Sequence, residues 1–404
     1  MKFGLFFELQ CPKPLDSDQW HPGDEQKVIM EAIEQIEFAD KLGFDYVFEV
    51  EHDFLEEYAH SSAPEIVLAA ASQRTKNIRL GHGIIHSPPN FNHPIRVAER
   101  IATLDIVSNG RVEFGTGEGG EIENTGFDID PTQKKAMWEE ATREAVKMMV
   151  QVPYEGIEGQ FVNIPSRNII PKPLQKPHPP LWTAASRRET IYVAARLGIG
   201  ALGFGFDTPE ESKERIERYW ELVREECDDP IGYAINPAVT ALGSLMCCPT
   251  DEEAVRKGLT GAQMFGFLIG RGQRNYGHDH FHREFKALSA ENRQSVYAQR
   301  QGLVGIGEEP EDESARSLYR ASQRGGFMGS PEYIRNSLRE YEDAHIDMVL
   351  FIAQSGDRPH EDIMASMELF AKEVMPEFQD RHHLHQRWRE QQLQGVTHAV
   401  NSSI

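Results

Sequence analysis

The chain has 404 residues, of which 39% are hydrophobic and 26% charged, and its formal net charge at pH 7 is −22. This negative charge disfavours nucleic acids and anionic membrane surfaces as partners, and we expect neither. No run approaches the roughly 18 apolar residues of a membrane-spanning helix, and the first residues predict a strand rather than a signal peptide.

Strand and helix patterns alternate along the whole chain. Predicted strands cover residues 2–8, 46–52, 78–86, 112–115, 181–185, 200–206, 239–247 and 348–353. Predicted helices cover residues 26–42, 64–74, 94–108, 134–150, 189–197, 209–226, a segment from residue 250, 331–344 and 360–378. Eight β/α units whose strands are apolar on both faces predict an α/β protein of the (β/α)8 TIM-barrel class, in preference to an open doubly wound sheet.

Two regions interrupt this alternation and define the predicted organisation. Residues 267–325 form an insertion between strand seven and the last helix–strand unit, with a histidine-rich run at 278–282 (HDHFH). Insertions of this length usually cover the site of a barrel as a lid or form subunit contacts. We predict one barrel domain over 1–378 that includes this lid, followed by a polar tail, 379–404, that packs loosely or protrudes.

The cysteines give no sign of a metal site or a disulfide framework. Their positions are Cys11, Cys227, Cys247 and Cys248. None has metal-ligand spacing, and two adjacent cysteines rarely form a structural disulfide. Reduced thiols in a cytoplasmic protein are the expectation. Three histidines at alternate positions in the run at 278–282 lack a second ligand cluster, so a polar lid is favoured there over a metal site and no metal is expected.

The segment 79–120 has the clearest local signals. Pro94 suits the first turn of a helix and Gly110 its C-terminal cap. Asp105 falls close to the apolar stripe of that helix, where a carboxylate needs a partner, and Arg111 or Arg100 is the expected one. A strand follows, and glycines then form a turn at its C-terminal end, where α/β folds bind ligands.

The second predicted strand ends in Glu51-His52-Asp53. Charged groups are costly inside a barrel, so these three belong at its mouth, where barrel enzymes have their active sites. The near-neutral pKa of a histidine suits proton transfer, and we predict this role for His52 in preference to a structural one. Glu51 is expected to orient His52.

Four segments in the correct order resemble the luciferase-like flavin-dependent monooxygenases. The first runs from His93 to Gly119 (HP.R.AE....LD..S.GR..FG.G.G). The others are KLGFDYVFEVEHDF at 41–54, TDEEA at 250–254, and GFMGSPEYIRNSLREYEDAHIDMVLF at 326–351. Several signals at the correct spacing are more specific than one glycine pattern, and together they span nearly the whole chain.

The resemblance implies a two-component oxygenase. Reduced FMN would come from a separate NAD(P)H:flavin reductase and react with O2 to give a C4a-(hydro)peroxyflavin, which oxygenates a small organic substrate. A homodimer packed through helices near residues 65–110 is also implied. His52 matches the family histidine that lies beside the flavin, and Asp53 stands where the family often has a second histidine.

The resemblance also places four residues against the flavin ring. Gly83 and Ile84 occupy the position of a non-prolyl cis peptide bond under the ring, although the residues alone also allow an ordinary β-bulge. Glycine there would let the ring approach closely. Thr116 and Gly117, in the turn after strand four, occupy a region that lies against the isoalloxazine.

The phosphate site departs from the family pattern. Glu118 stands where the family commonly has a phosphate-binding arginine, and a carboxylate would repel a phosphate. Arg187 or Arg188 is the favoured replacement, because with Ser186 they lie where a strand ends and a helix begins, a site suited to anions. Mainly backbone contacts and weak flavin affinity stay open as explanations.

Two alternatives remain for the function. A deazaflavin-dependent dehydrogenase of the same superfamily would share the barrel and would need several cations near strands five and six. A non-catalytic flavin-binding protein would explain Glu118.

Overall fold

The computed structural model describes residues 1–185, 188–203, 209–272, 278–289, 293 and 326–404. The strands are β1 (Lys2–Phe7), β2 (Tyr46–Glu49), β3 (Arg79–His82), β4 (Val112–Thr116), β5 (Ile157–Glu158), β6 (Asn163–Ile164), β7 (Leu181–Ala185), β8 (Gly200–Gly203), β9 (Thr240–Cys247), β10 (Gly326–Gly329) and β11 (Met348–Ile352). The helices are α1 (Asp24–Leu42), α2 (Pro64–Ser72), α3 (Pro94–Val107), α4 (Glu121–Gly126), α5 (Lys134–Val150), α6 (Arg188–Arg196), α7 (Pro209–Glu225), α8 (Asp251–Gly272), α9 (Phe281–Ala287), α10 (Pro331–Asp343), α11 (His360–Glu373) and α12 (Met375–Gln392). A 3₁₀ turn covers Glu56–Tyr58.

Nine of these strands form one curled parallel sheet, which confirms the predicted α/β class. Its order is β10-β9-β11-β1-β2-β3-β4-β7-β8, while β5 and β6 form a separate antiparallel pair. The far end of the sheet curls back, because the Ala201 amide of β8 donates to Ala238 O at 2.8 Å, just before β9. The sequence prediction missed β10, which pairs with β9 from Ser244 to Cys247.

Apolar residues cover both faces of the sheet, as the strand patterns predict. On the concave face, Phe6, Phe48 and Trp182 belong to one buried cluster. On the convex face, alternate residues such as Leu5 and Val47 pack under the helices. Since the side chains of a strand alternate between faces, both faces are largely apolar, and charged side chains such as Glu49 and Glu113 lie near the strand ends.

The unit around α3 has the predicted ends but a different buried pair. Pro94 opens the helix and Gly110 adopts φ 77° after it. Asp105 is buried, but the expectation of an arginine partner is wrong. Its oxygens accept from the Gln175 amide N at 2.8 Å and from Gln175 Nε2 at 2.7 Å. Arg111 instead donates to backbone carbonyls, among them that of Ile78.

The C-terminal segment is ordered and packed, so the expectation of a loose or protruding tail is wrong. Helix α12 buries His385 and Arg389, and both bind the carboxylate of Asp347 beside β11. Further along, the Asn401 amide donates to Ile235 O at 2.8 Å. Trp388, Leu393 and Val396 also pack against the hydrophobic core, and the polar composition of the segment conceals these scattered anchors. The predicted domain division itself stays a prediction.

Most of the predicted insertion lies outside the described residues. Its first residues complete helix α8, in which Phe267 and Leu268 are buried. In the histidine-rich run, His280 Nε2 lies 2.8 Å from Pro14 O and His282 Nδ1 2.8 Å from Lys13 O. These rings therefore bind the loop after β1. All four cysteines are free and buried, and among the described residues no helix is long and apolar enough to cross a membrane.

Candidate active site

Four ionisable side chains meet where β1 to β4 end. Glu8 follows β1 directly, His52 comes shortly after β2, and His86 shortly after β3. Glu123 lies on the short helix α4, which begins after the glycine turn of β4. Because the carboxyl ends of parallel strands meet at one edge, residues far apart in sequence come together there.

His52 and Glu123 form the central contact of this cluster. His52 Nδ1 lies 2.6 Å from Glu123 Oε1, and since a carboxylate only accepts, the ring nitrogen is the donor. The amides of Gly120 and Asp53 also donate to Glu123, at 2.5 and 3.3 Å. The carboxylate is thereby fixed in place, and it holds the imidazole in one orientation.

The other ring nitrogen of His52 faces a second carboxyl group. Nε2 lies 3.5 Å from Glu8 Oε2. The Tyr58 hydroxyl donates to the other oxygen of Glu8 at 2.8 Å. Glu8 Oε2 is buried and has no hydrogen-bond partner among the described residues. His52 thus lies between two carboxyl groups, with only 11% of its side chain exposed.

A second histidine lies on the far side of Glu123. His86 Nε2 is 3.6 Å from Glu123 Oε2. Both ring nitrogens of His86 are buried and have no hydrogen-bond partner in the described part of the chain. The ring packs against Phe91, with the ring centres 4.7 Å apart, and Phe91 in turn packs against Phe127 at 4.5 Å.

The surroundings separate the charge states of these groups. Burial opposes a charge on His52, but the carboxyl groups of Glu123 and Glu8 outweigh it and raise its pKa to about 9. Burial also opposes a charge on Glu123, yet His52 and His86 together with the hydrogen bonds hold its pKa well below the usual range. Burial raises the pKa of Glu8 to about 7 and lowers that of His86 to about 4. Groups whose environments separate their pKa values in this way are typical of acid–base sites.

Glu51 does not orient His52, and this part of the expectation is wrong. Its carboxylate accepts from the His86 amide at 2.6 Å and from Asn92 Nδ2 at 3.0 Å. The residue before His52 points away from it because successive side chains of an extended segment alternate. Glu51 instead fixes the backbone of His86.

The segment expected under the flavin ring has no cis peptide bond. The Gly83 amide donates to Glu49 O at 2.7 Å, and Ile84 O accepts from the Glu51 amide at 3.1 Å. With trans peptide bonds, this segment makes both hydrogen bonds to β2 and the residues that follow it. The cis bonds of the described residues are Val152–Pro153, Ile170–Pro171 and Lys176–Pro177.

The structure brings Gly117 and Ile84 together but turns Thr116 elsewhere. A Cβ atom on Gly117 would lie 3.1 Å from Ile84 Cγ2. The Thr116 hydroxyl is buried and accepts from Trp138 Nε1 at 3.0 Å, on the side of α5. That hydroxyl is therefore engaged within the fold.

The residues expected to bind the phosphate lie largely outside the described part of the structure. Ser186 and Arg187 lie outside the described residues, as does the side chain of Arg188, the residue that begins α6. Glu118 is paired, because Lys134 Nζ lies 3.4 Å from its carboxylate. Lys134, at the start of α5, is a cation beside the glycine turn that sequence reasoning missed.

The donor set also has the composition of a transition-metal site. His52, His86 and Glu123 each offer one ligand atom, and these three atoms lie within 4.8 Å of one another. Two imidazoles and a carboxylate can bind such metals. The short hydrogen bond between His52 and Glu123 already engages the carboxylate, however, so the geometry is that of a hydrogen-bonded pair.

Sequence reasoning found His52 but missed its partners. Glu8 extends an apolar strand, and its position one residue past the strand end was an available signal. Glu123 follows Gly120 at the spacing of a helix-capping glutamate, and its carboxylate does accept from the Gly120 amide. Their convergence on His52 depends on the curl of the sheet.

Comparisons with known proteins identify the family of the chain. A family model described as luciferase-like monooxygenase matches residues 1–348. The oxygenase component of a flavin-dependent trigonelline monooxygenase from Acinetobacter baylyi is 26% identical over 385 residues, which are 94% of this chain and 96% of that protein. Limonene 1,2-monooxygenase from Rhodococcus erythropolis is 27% identical over 59% of this chain and 60% of that protein.

Solved structures share the fold at lower identity. The oxygenating constituent of 3,6-diketocamphane monooxygenase from Pseudomonas putida, solved with FMN, has a TM-score of 0.68 and 20% identity, over 93% of this chain and 98% of that one. The coenzyme F420-dependent tetrahydromethanopterin reductase from Methanopyrus kandleri has a TM-score of 0.62 and 19% identity, over 93% and 99%. With a family model that matches most of its length, the chain belongs to the luciferase-like monooxygenase family of flavin-dependent enzymes.

Proposed function

We propose that this protein is the oxygenase component of a two-component monooxygenase. It would take reduced FMN from a separate NAD(P)H:flavin reductase and use O2 to oxygenate a small organic substrate. The observation that carries the proposal is the nearly buried His52, whose Nδ1 is held by the Glu123 carboxylate at the carboxyl edge of the sheet. Two relatives support it, one named as the oxygenase component of a flavin-dependent monooxygenase and one named as a monooxygenase.

The residues at this edge suit a flavin. The ring nitrogens of His86 and the free oxygen of Glu8 are buried polar atoms that lack hydrogen-bond partners in the described residues. Gly83, Ile84 and Gly117 would lie against the ring system, and Ser186 with Arg187 or Arg188 would hold the phosphate. Reduced FMN, when bound, supplies two electrons to O2, so that one oxygen atom can enter the substrate.

The protein's own contribution is to exclude water and to manage protons. Tyr58 and Phe91 pack beside the two histidines, with centre distances of 5.8 Å from His52 and 4.7 Å from His86. In this shielded place the interactions among charges are strengthened. His52 keeps a proton at neutral pH because Glu123, which is held as a carboxylate, offsets its burial, and it can therefore act as the general acid.

The fold-level part of the proposal is a closed (β/α)8 barrel with a lid from 267–325. The bridge between Ala201 and Val239, which joins the far end of the sheet to the start of β9, supports closure.

A cytoplasmic homodimer packed through α2 and α3 completes the proposal. Ile66 on α2 and Ile106 on α3 support this surface, because they are 67% and 45% exposed.

A deazaflavin-dependent dehydrogenase is the second candidate. The observation that favours it is the shared fold, since coenzyme F420-dependent enzymes align over nearly the full length. At under 25% identity this likeness concerns the fold alone. A non-catalytic flavin protein would explain Glu118, but the salt bridge of Glu118 with Lys134 weakens that argument.

The test combines cofactor binding with isotope incorporation. The protein is first titrated without oxygen against reduced FMN, oxidised FMN and coenzyme F420. It is then incubated with a flavin reductase, NADH and heavy-oxygen-labelled O2 in the presence of a compound panel that begins with trigonelline and limonene. We expect preferential binding of reduced FMN and one labelled oxygen atom in a product. Preferential binding of coenzyme F420, or no flavin binding, would contradict the proposal.

A further inference from the structure

The two ring nitrogens of His52 face carboxyl groups in different states of hydrogen bonding. Glu123, on the Nδ1 side, accepts from the ring and from the amides of Gly120 and Asp53. Glu8, on the Nε2 side, has one oxygen bound by Tyr58 and one without a hydrogen-bond partner among the described residues. The Nδ1 side is therefore fixed and the Nε2 side is able to change.

Glu123 cannot easily take part in proton exchange. Three donors, one from a side chain and two from the backbone, surround its two oxygens. Protonation would break at least one of these bonds within a buried site, where an unsatisfied donor is costly. Its role is to keep the proton on Nδ1, so that Nε2 is the nitrogen whose proton can move.

Glu8 has the position and the chemistry of a proton donor to that nitrogen. Its side chain is fully buried, and Oε2 lies 3.5 Å from Nε2, slightly beyond hydrogen-bond length. A small rotation of either side chain would close this gap. A carboxyl group so enclosed prefers its neutral, protonated form.

We propose that Glu8 holds a proton for His52 and exchanges it at Nε2, while Glu123 is a positioning residue that keeps Nδ1 protonated. The inference rests on the proposed function for the proton's destination, but the exchange between Glu8 and His52 is a property of the protein alone. It also answers how protons move when Asp53 stands in place of a second histidine.

Each proton that His52 gives up is replaced by one from Glu8. His52 begins with protons on both nitrogens and gives the one on Nε2 to the reacting groups, which leaves a neutral ring. The O–H bond of Glu8 then breaks, an N–H bond forms at Nε2, and Glu8 becomes a carboxylate. A proton from solvent water later restores Glu8. No electrons move in these steps.

The surrounding charges support this order. Glu8 faces His52, Tyr58 and Glu123, and its burial raises its pKa to about 7. His52 also faces Asp53, whose own pKa is raised to about 6 by burial and by Glu123. Beyond Glu123 lie His86 and Lys134, and Lys134 is paired with Glu118.

The first experiment follows His52 in the flavin-free protein by NMR with isotope-labelled histidine. In wild type we expect the ring to titrate above neutral pH. In Glu8→Gln, whose amide oxygen can still accept from Tyr58, the midpoint should fall by about one pH unit or more. In Glu123→Gln it should fall further, and the proton should no longer be confined to Nδ1 when the ring is neutral.

The matched control is Glu49→Gln. Glu49 is also fully buried, and burial raises its pKa to about 8, but its carboxyl accepts from Ser61 rather than facing His52. The control should leave the His52 midpoint unchanged. An unchanged midpoint in Glu8→Gln would overturn the proposal. If that variant does not fold, Glu8→Asp, which withdraws the carboxyl by one methylene, should lower the midpoint as well, and an unchanged midpoint there overturns it equally.

The second readout is the pH profile of turnover with FMN and the reductase. In Glu8→Gln we expect kcat to fall about tenfold or more, KM and the dissociation constant of FMN to change little, and the limb of the profile near neutral pH to disappear. A wild-type profile would overturn the inference. Failure of the proposed function would appear instead in wild type, as absent FMN binding or product, with the NMR result unaffected.

Discussion

Charged groups are buried both at the amino edge of the sheet, where its strands begin, and at the carboxyl edge, where they end. The two edges differ in how completely these groups are hydrogen-bonded. At the amino edge, Glu113 is bound by Arg79, and its oxygens also accept from Trp182 Nε1 at 2.6 Å and from the Ser403 hydroxyl at 2.5 Å. At the carboxyl edge, by contrast, Glu8 Oε2 and both nitrogens of His86 have no hydrogen-bond partner among the described residues.

Asp347 extends the same contrast. It lies just before β11 at the amino edge, and its oxygens accept from Arg389, from His385 Nε2 at 2.8 Å and from the Val239 amide at 2.7 Å. Burial opposes its charge, but Arg389 and His385 keep its pKa below the usual range. Charges that are fully paired hold the fold together, whereas the buried atoms of Glu8 and His86 that lack partners lie together beside His52, where a ligand could satisfy them.

The largest effect on stability is expected at the amino edge. Asp347→Ala would leave Arg389 and His385 buried without their anion and should lower the free energy of unfolding by about 3–5 kcal/mol. Denaturant unfolding measures this. Arg339→Ala, which removes an exposed ion pair with Glu377, is the control and should leave stability nearly unchanged. If Asp347→Ala lowered the free energy of unfolding as little as the control does, the proposed contrast between the two edges would be contradicted.

The largest effect on activity is expected at the carboxyl edge. His52→Ala should lower turnover about 100-fold or more because it removes the proton donor, while the protein still folds and its binding of reduced FMN stays nearly the same. Steady-state turnover with a flavin reductase measures the loss. Near-wild-type turnover in this variant would remove the proton-transfer role of His52.

The phosphate site should show a smaller effect that is limited to binding. Arg187→Ala combined with Arg188→Ala should weaken FMN binding by about 1.5–3 kcal/mol if a charge-assisted phosphate contact is lost. Lys134→Ala gives the comparison, since Lys134 is the cation beside Glu118. If the dissociation constant of FMN is unchanged in the double variant but rises in Lys134→Ala, the phosphate binds at the glycine turn instead.

Glu8 also gives stability a pH dependence. Its folded pKa, about 7, lies above the ordinary value, so its stabilisation is fully present below about pH 4.5 and is lost as the pH rises through 7. Relative to wild type, Glu8→Gln should therefore gain up to about 3 kcal/mol of stability across this window, since each pKa unit corresponds to about 1.4 kcal/mol. Denaturant unfolding at several pH values measures the difference, and parallel curves would contradict a raised pKa.

Local signals in the sequence were sufficient for the fold class and for His52. Apolar strands that alternate with helices predicted the parallel sheet, and a histidine directly after a strand marked the carboxyl edge. Pro94 and Gly110 likewise defined the ends of α3. These features depend on residues close together in the chain.

The predictions that failed depend on distant partners. Asp105 is paired by Gln175, 70 residues away, and an amide is a less obvious partner than an arginine. Glu123 lies 71 residues from His52, so the pair forms only once the sheet curls. The ordered tail was missed because its anchors, the ion pairs of His385 and Arg389 and the apolar contacts of Trp388, are scattered in a segment whose polar composition indicates solvent exposure.

The most direct test of the central claim is the reaction of the bound cofactor with oxygen. Protein loaded with reduced FMN under anaerobic conditions is mixed rapidly with oxygenated buffer while the absorbance spectrum is recorded. We predict a transient spectrum distinct from both reduced and oxidised FMN, which decays to oxidised FMN more slowly than free reduced FMN is oxidised. Immediate oxidation at the rate of free reduced FMN would mean that the cluster of Glu8, His52, His86 and Glu123 does not form a shielded flavin site.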